Sequence, residues 1–138
     1  SLREDYSCHR VLTHELIHLC LREDYPEPDE MSYGEALNYI AFNEGFAHAL
    51  PYPEDLQDFV FDEILEKKFE AAREKLRTAL AEADENRQKI YRRMANTGNY
   101  WDKFAAIAGK LYLLRHIDEL EGIYKQGWRD FTARILEE

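Results

Sequence analysis

From Glu54 to Asn96 the chain runs without a proline or a glycine. Within that stretch Leu65, Phe69, Ala72, Leu76, Ala79, Ala83 and Ile90 step alternately by four and three, with Asn86 in the same stripe. That is a heptad seam, the pattern of a helix that buries one face against another helix. At ~1.5 Å per residue, about 40 residues would span roughly 60 Å. A helix of that length must pack on another, fold back on itself or pair with a second chain. A break or bend within it, or a homodimer through the long helix, is therefore expected.

The remaining punctuation divides the rest of the chain. All four prolines, Pro26, Pro28, Pro51 and Pro53, lie in two clusters. A first helix is expected from about Tyr6 to Arg22, with Val11, Leu12, Leu16, Leu19 and Cys20 recurring at helical spacing. "EDYPEPDEMS" ends it, because proline cannot continue a helix and restricts its predecessor. Ser32-Tyr33-Gly34-Glu35 fits a capping box and predicts a second helix to about Leu50, ended by "PYP". After the long stretch, Gly98 in "NTGNY" marks a turn and a helix is expected from about Tyr100 to His116. The last segment reads as two short helices split near Gly127, with Asp118 as the N-cap of the first. No segment alternates as a strand does. The chain is expected to be all-α and one domain over residues 1–138: zinc-binding helices to residue 50, a helical arm over 54–96, and C-terminal helices over 99–138.

Composition narrows the function classes. A chain of 138 residues suits a single domain, and 45% hydrophobic residues can build a core. The formal net charge of −10 argues against a nucleic-acid footprint, which needs a clustered basic surface, and against adsorption to anionic membranes. Two cysteines, Cys8 and Cys20, are too few for a disulfide scaffold and read as reduced thiols, so a cytoplasmic setting is expected. No apolar run approaches the ~18 residues of a membrane span, and no signal peptide is visible. Ser1-Leu2-Arg3 does not read as a natural start, which leaves room for an upstream segment.

The chemistry concentrates in "VLTHELIHLC". On a helix, His14 and His18 differ by about 40° and ~6 Å of rise, so both imidazoles can meet one metal ion. Glu15 lies about 100° round, unable to bind that ion directly but able to reach a water held by it. That is the physical content of H-E-x-x-H. Chance supplies the pattern about 0.02 times in a chain of this composition, so it is read as a site. A catalytic zinc needs a third protein ligand and an open position. "YIAFNEGFAHAL" offers Glu44, on the second helix, which a proline-containing loop allows to pack antiparallel to the first.

"HELIH" followed by "NEGFAH" resembles the gluzincin class of zinc metallopeptidases, the thermolysin-like architecture. The likeness covers residues 9–50 and extends more weakly to "GNYWDKFAAIAGKLYLLRH" and "YKQGWRDF". It implies that His14, His18 and Glu44 hold Zn²⁺, that Glu15 is the general base, and that peptide (amide) bonds of a peptide or protein substrate are cut. One further donor normally assists the oxyanion. Tyr100 and His116 are the candidates; their plainer readings are a capping or core tyrosine and a helix C-terminal cation. The chain departs from the family twice. An Asp one turn after the glutamate ligand is replaced by His48, either an outer partner or a fourth ligand that closes the site. Gluzincins place a β-sheet before the zinc helices, and its edge aligns the substrate; only 13 residues precede His14 here and they look helical, so that edge is expected to be missing, to lie in an upstream segment or to come from another chain.

Two other readings stay open. The chain could be a helical interaction or oligomerisation module with a structural or vestigial metal. It could also hold Fe(II), which two histidines and a carboxylate also suit. Of the remaining residues, His9 is read as a solvent or outer histidine and Cys20 as a core residue. Trp101, Phe104, Tyr112, Trp128 and Phe131 are expected in the core, and the charged pairs along residues 62–93 on a solvated face.

Overall fold

The computed structural model describes residues 14–50 and 59–138, which are helical with no strand among them. The helices are α1 (residues 14–24), α2 (Tyr33–Ala49), α3 (Glu63–Ala81), α4 (Glu85–Met94), α5 (Phe104–Arg115), α6 (Leu120–Gln126) and α7 (Phe131–Leu136). Short 3₁₀ turns at Tyr100–Asp102 and Ile117–Glu119 precede α5 and α6. None of these helices is long and apolar enough to cross a membrane. The expectations for Cys8, His9, the start of the first helix, the "PYP" stop and the first residues of the long stretch lie outside the described residues.

α2 starts where its capping box predicts. The Ser32 hydroxyl accepts from the Glu35 N–H, and the Glu35 carboxylate accepts from the Ser32 N–H. α2 and α5 form the centre. All of α5 except Lys110 and Arg115 is buried, as expected of a helix apolar on every side. The two pack backbone to backbone: a Cβ built on Gly109 would lie 2.1 Å from the Ala41 carbonyl oxygen, and one on Gly45 2.9 Å from the Gly109 carbonyl carbon. Small residues alone permit this approach, and it leaves the polar face of α2 free to carry the site.

The long helix breaks. Glu82–Asp84 are extended, with Glu82 at φ −70°, ψ 125° and Asp84 at φ −77°, ψ 121°. Asp84 is the reason: its carboxylate accepts from the Arg87 N–H at 2.9 Å and caps α4. Tyr33 satisfies the carbonyl end of α3, donating its hydroxyl to Ala79 O at 2.6 Å. Burial, with Tyr91 and Glu82 nearby, pushes that hydroxyl up to about 12, so it remains a donor. The heptad seam divides with the helix. Phe69, Ala72, Leu76 and Ala79 are buried against the chain's own core, whereas Ala83, Asn86 and Ile90 are exposed. Over α3 the seam is therefore covered from within the chain.

At the C-terminal end Gly127, at φ 81°, separates α6 from α7 as its position predicts. Asp118 does not cap α6; it sits inside the 3₁₀ turn, and Glu119 precedes the helix without a side-chain cap. Buried Arg73 ties α7 to α3, donating to the carbonyls of Ile135 (3.1 Å), Leu136 (3.1 Å) and Glu138 (2.7 Å). Phe104, Tyr112, Trp128 and Phe131 are core residues, but Trp101 is 41% exposed, held at the surface by its place in the first 3₁₀ turn.

α1 also faces differently from its leucine pattern. Leu16, Leu19 and Cys20 are exposed. The buried side is the stripe His14, Ile17, His18, Leu21, at spacings of three and four, with Leu21 fully buried. The helix turns its histidines inward because α2 offers them partners.

Candidate metal centre

α1 and α2 bring His14, His18 and Glu44 together. One ligand atom from each lies within 4.8 Å of the other two, and all three side chains are half-buried. His18 Nε2 is 3.0 Å from His14 Nε2 and 3.5 Å from Glu44 Oε2.

The outer nitrogens decide what the inner ones can do. His14 Nδ1 lies 2.9 Å from the Ala47 carbonyl oxygen, which can only accept. His18 Nδ1 lies 2.8 Å from Asn43 Oδ1. The Asn43 orientation follows from its neighbours: its amide nitrogen donates to the Tyr39 hydroxyl at 3.3 Å, and that hydroxyl donates to the Tyr25 carbonyl at 3.2 Å. This chain of donors assigns a proton to Nδ1 of both imidazoles. Their Nε2 lone pairs then face each other across 3.0 Å, with a carboxylate oxygen alongside.

Three acceptors converging on one point repel one another unless a proton or a metal ion lies between them. The donor set fits zinc. Tetrahedral bonds of about 2.0–2.1 Å set ligand atoms roughly 3.3–3.4 Å apart. Two of the three pairs, at 3.0 and 3.5 Å, bracket that spacing, while the third, His14 to Glu44, is wider but within 4.8 Å. Outer hydrogen bonds from Nδ1 to a carbonyl or amide oxygen are the usual means of orienting a ligating imidazole. The Asp that the resemblance implies for this task is replaced by the Ala47 carbonyl and by Asn43. Asn43 stands in the quoted "NEGFAH" stretch, but its role was not legible there, because it depends on Tyr39 and Tyr25.

His48 lies beside the three ligands and outside their mutually close set. Its Nε2 is 3.7 Å from Glu44 Oε2 and its ring centroid 5.0 Å from that of His14. Burial, then the neighbouring His14, Lys110, Lys103 and His18, lowers its pKa to about 4. It is a neutral imidazole at neutral pH. Tyr100 follows in line, edge-on to His48 at 5.8 Å, with its hydroxyl bonded by Lys110. Burial pushes the Tyr100 hydroxyl up, against a smaller lowering by Lys103.

Glu15 is exposed and makes no hydrogen bond or ion pair among the described residues. His116 is not part of this group. Its imidazole is bonded by Glu119 and Glu138, and it lines a separate cavity of about 550 Å³ with Tyr112 and Arg134. It sits at the C-cap of α5, and the acidic partner 22 residues on accounts for its position.

A second cavity, of about 320 Å³, opens directly on His18 and Glu44; Arg22, Glu27, Tyr39, Ile40, Asn43 and Asn96 complete its lining. Compared against protein families, curated proteins and solved structures, the chain matches none of them.

Proposed function

We propose that the protein is a zinc-dependent hydrolase of peptide (amide) bonds, of gluzincin type. The observation that carries this reading is the pair of Nε2 lone pairs held face to face at 3.0 Å, with the Glu44 carboxylate 3.5 Å from one of them. A shared proton would balance two imidazoles; a carboxylate added to two oriented imidazoles favours a divalent ion. His14, His18 and Glu44 would hold Zn²⁺, which would supply a Lewis acid and lower the pKa of a bound water from about 15.7 toward 7.

The chain's own residues do the rest. His14 and His18 arrive pre-oriented, so little ordering is needed when the ion binds. Glu15, next to the first ligand and bound to no described residue, is free to accept a proton from water and pass it to the leaving amine. Tyr100 is the nearer of the two expected oxyanion donors, set behind His48.

Elemental analysis of zinc and iron tests the reading, on protein loaded with zinc chloride and dialysed into metal-free buffer. Near one zinc per chain is expected in the wild type, falling toward zero in Glu44→Ala. A wild type that retains no metal while remaining fully helical by circular dichroism overturns the proposal. Retention of iron in place of zinc moves the site to Fe(II) chemistry.

A further inference from the structure

The 320 Å³ cavity beside His18 and Glu44 carries two opposite charges that do not neutralise each other. Among the described residues Arg22 uses only Nε, which donates to the His18 carbonyl at 3.4 Å, and no carboxylate lies within 4.0 Å of its guanidinium. Glu27 lines the same cavity and pairs with no described cation. Both are exposed, so they stand at the mouth. Deeper in, the Asn96 side-chain oxygen is buried with no hydrogen-bond partner, an arrangement that costs about 1–3 kcal/mol unless something donates to it. Asn43 is already committed to His18 and Tyr39, and Tyr39 to the Tyr25 carbonyl.

We propose that this cavity is the substrate pocket and that it takes a short peptide with both termini free, of dipeptide size. The free carboxylate pairs with Arg22 and the ammonium with Glu27. An unpaired cation and an unpaired anion on one small cavity are the complement of a zwitterion. A long polypeptide would present neither charge there, and the volume sits at the low end of small-ligand pockets. The adjoining His18 and Glu44 then place the peptide bond beside the metal. The inference rests on the hydrolase reading for what happens to the bound peptide, but not for the binding itself.

Calorimetric titration tests it on two forms: the metal-free protein, and a zinc-loaded Glu15→Gln variant, which holds substrate without turning it over. The probes are Ala-Ala, acetyl-Ala-Ala and Ala-Ala-amide. Ala-Ala is expected to bind best, with each capped form weaker by roughly tenfold or more, the loss of one charge-assisted contact. Arg22→Gln should erase the difference between Ala-Ala and its amide, and Glu27→Gln the difference between Ala-Ala and its acetylated form, while Arg22→Lys retains part of the first. Equal binding of all three probes overturns the proposal, as does sensitivity to only one cap or binding untouched by either variant. If the peptide binds as expected but the protein holds no zinc, the pocket stands and the hydrolase reading falls. If zinc binds and the probes do not, the reverse holds.

Discussion

Peptide hydrolysis by Glu15→Gln is expected to fall by about 10²–10⁴-fold, the usual contribution of a positioned general base. Zinc content and melting temperature should stay at the wild-type values. Glutamine keeps the shape of glutamate and loses only its ability to accept a proton at neutral pH. The fold has no stake in the exchange, since Glu15 is exposed and bonded to no described residue. This variant therefore separates chemistry from folding more cleanly than any ligand substitution, which would perturb both. The measurement is turnover of a mixed short-peptide library by the zinc-loaded proteins, read by mass spectrometry. A variant as active as the wild type would remove Glu15 from the chemistry and return the chain to the interaction-module reading.

Gly109→Ala should be among the most damaging single-methyl additions. The new Cβ would lie 2.1 Å from the Ala41 carbonyl oxygen and 3.3 Å from Gly45 Cα, both backbone atoms that no rotamer can move. α5 would have to shift off α2 across a fully buried contact. Overpacking of this kind costs about 3 kcal/mol or more when backbone must yield. For a domain of this size that is a melting-temperature loss of roughly 10 °C. The same change at Gly122, within α6, meets nothing within 4 Å and should instead stabilise by about 0.5–1 kcal/mol, as alanine does in a helix. Thermal unfolding of the pair checks both signs. Because α2 carries Asn43, Glu44 and the Ala47 carbonyl, any Gly109→Ala protein that still folds should also bind zinc more weakly.

Much of this architecture could be read before the structure, and the exceptions have physical causes. The capping box at Ser32, the turn at Gly127 and the all-α composition depend on local chemistry, which sequence displays directly. The convergence of His14, His18 and Glu44 follows from helical spacing plus one antiparallel loop. A break in the long helix was expected, but its place at Glu82–Asp84 was hidden because its signal is a lone Asp84 cap with neither proline nor glycine. α1's buried face was hidden because its leucines suggested a core side, while the hydrogen-bond acceptors that draw the histidines inward reside on α2. His116 took its place from Glu138, a partner too far along the chain to infer. Arg22, Glu27 and Asn96 come from three segments, and only folding puts them on one cavity.

Among its described residues α1 has a single fully buried apolar side chain, Leu21, with Ile17 partly buried beside it; polar bridges run from His14 and His18 to α2 and from Asp24 to the Tyr124 hydroxyl, and just past its end Tyr25 bonds the Tyr124 carbonyl. A segment so lightly anchored opens locally, at a free energy well below that of global unfolding. An ion that spans α1 and α2 must be released before that opening, and so opposes it by RT ln(1 + [ion]/Kd). Amide hydrogen exchange would then be expected to slow in α1 as zinc is added, while α5, buried along nearly its whole length, should exchange far more slowly with or without it. Under the zinc reading, α1 would thus serve as a gauge of metal occupancy.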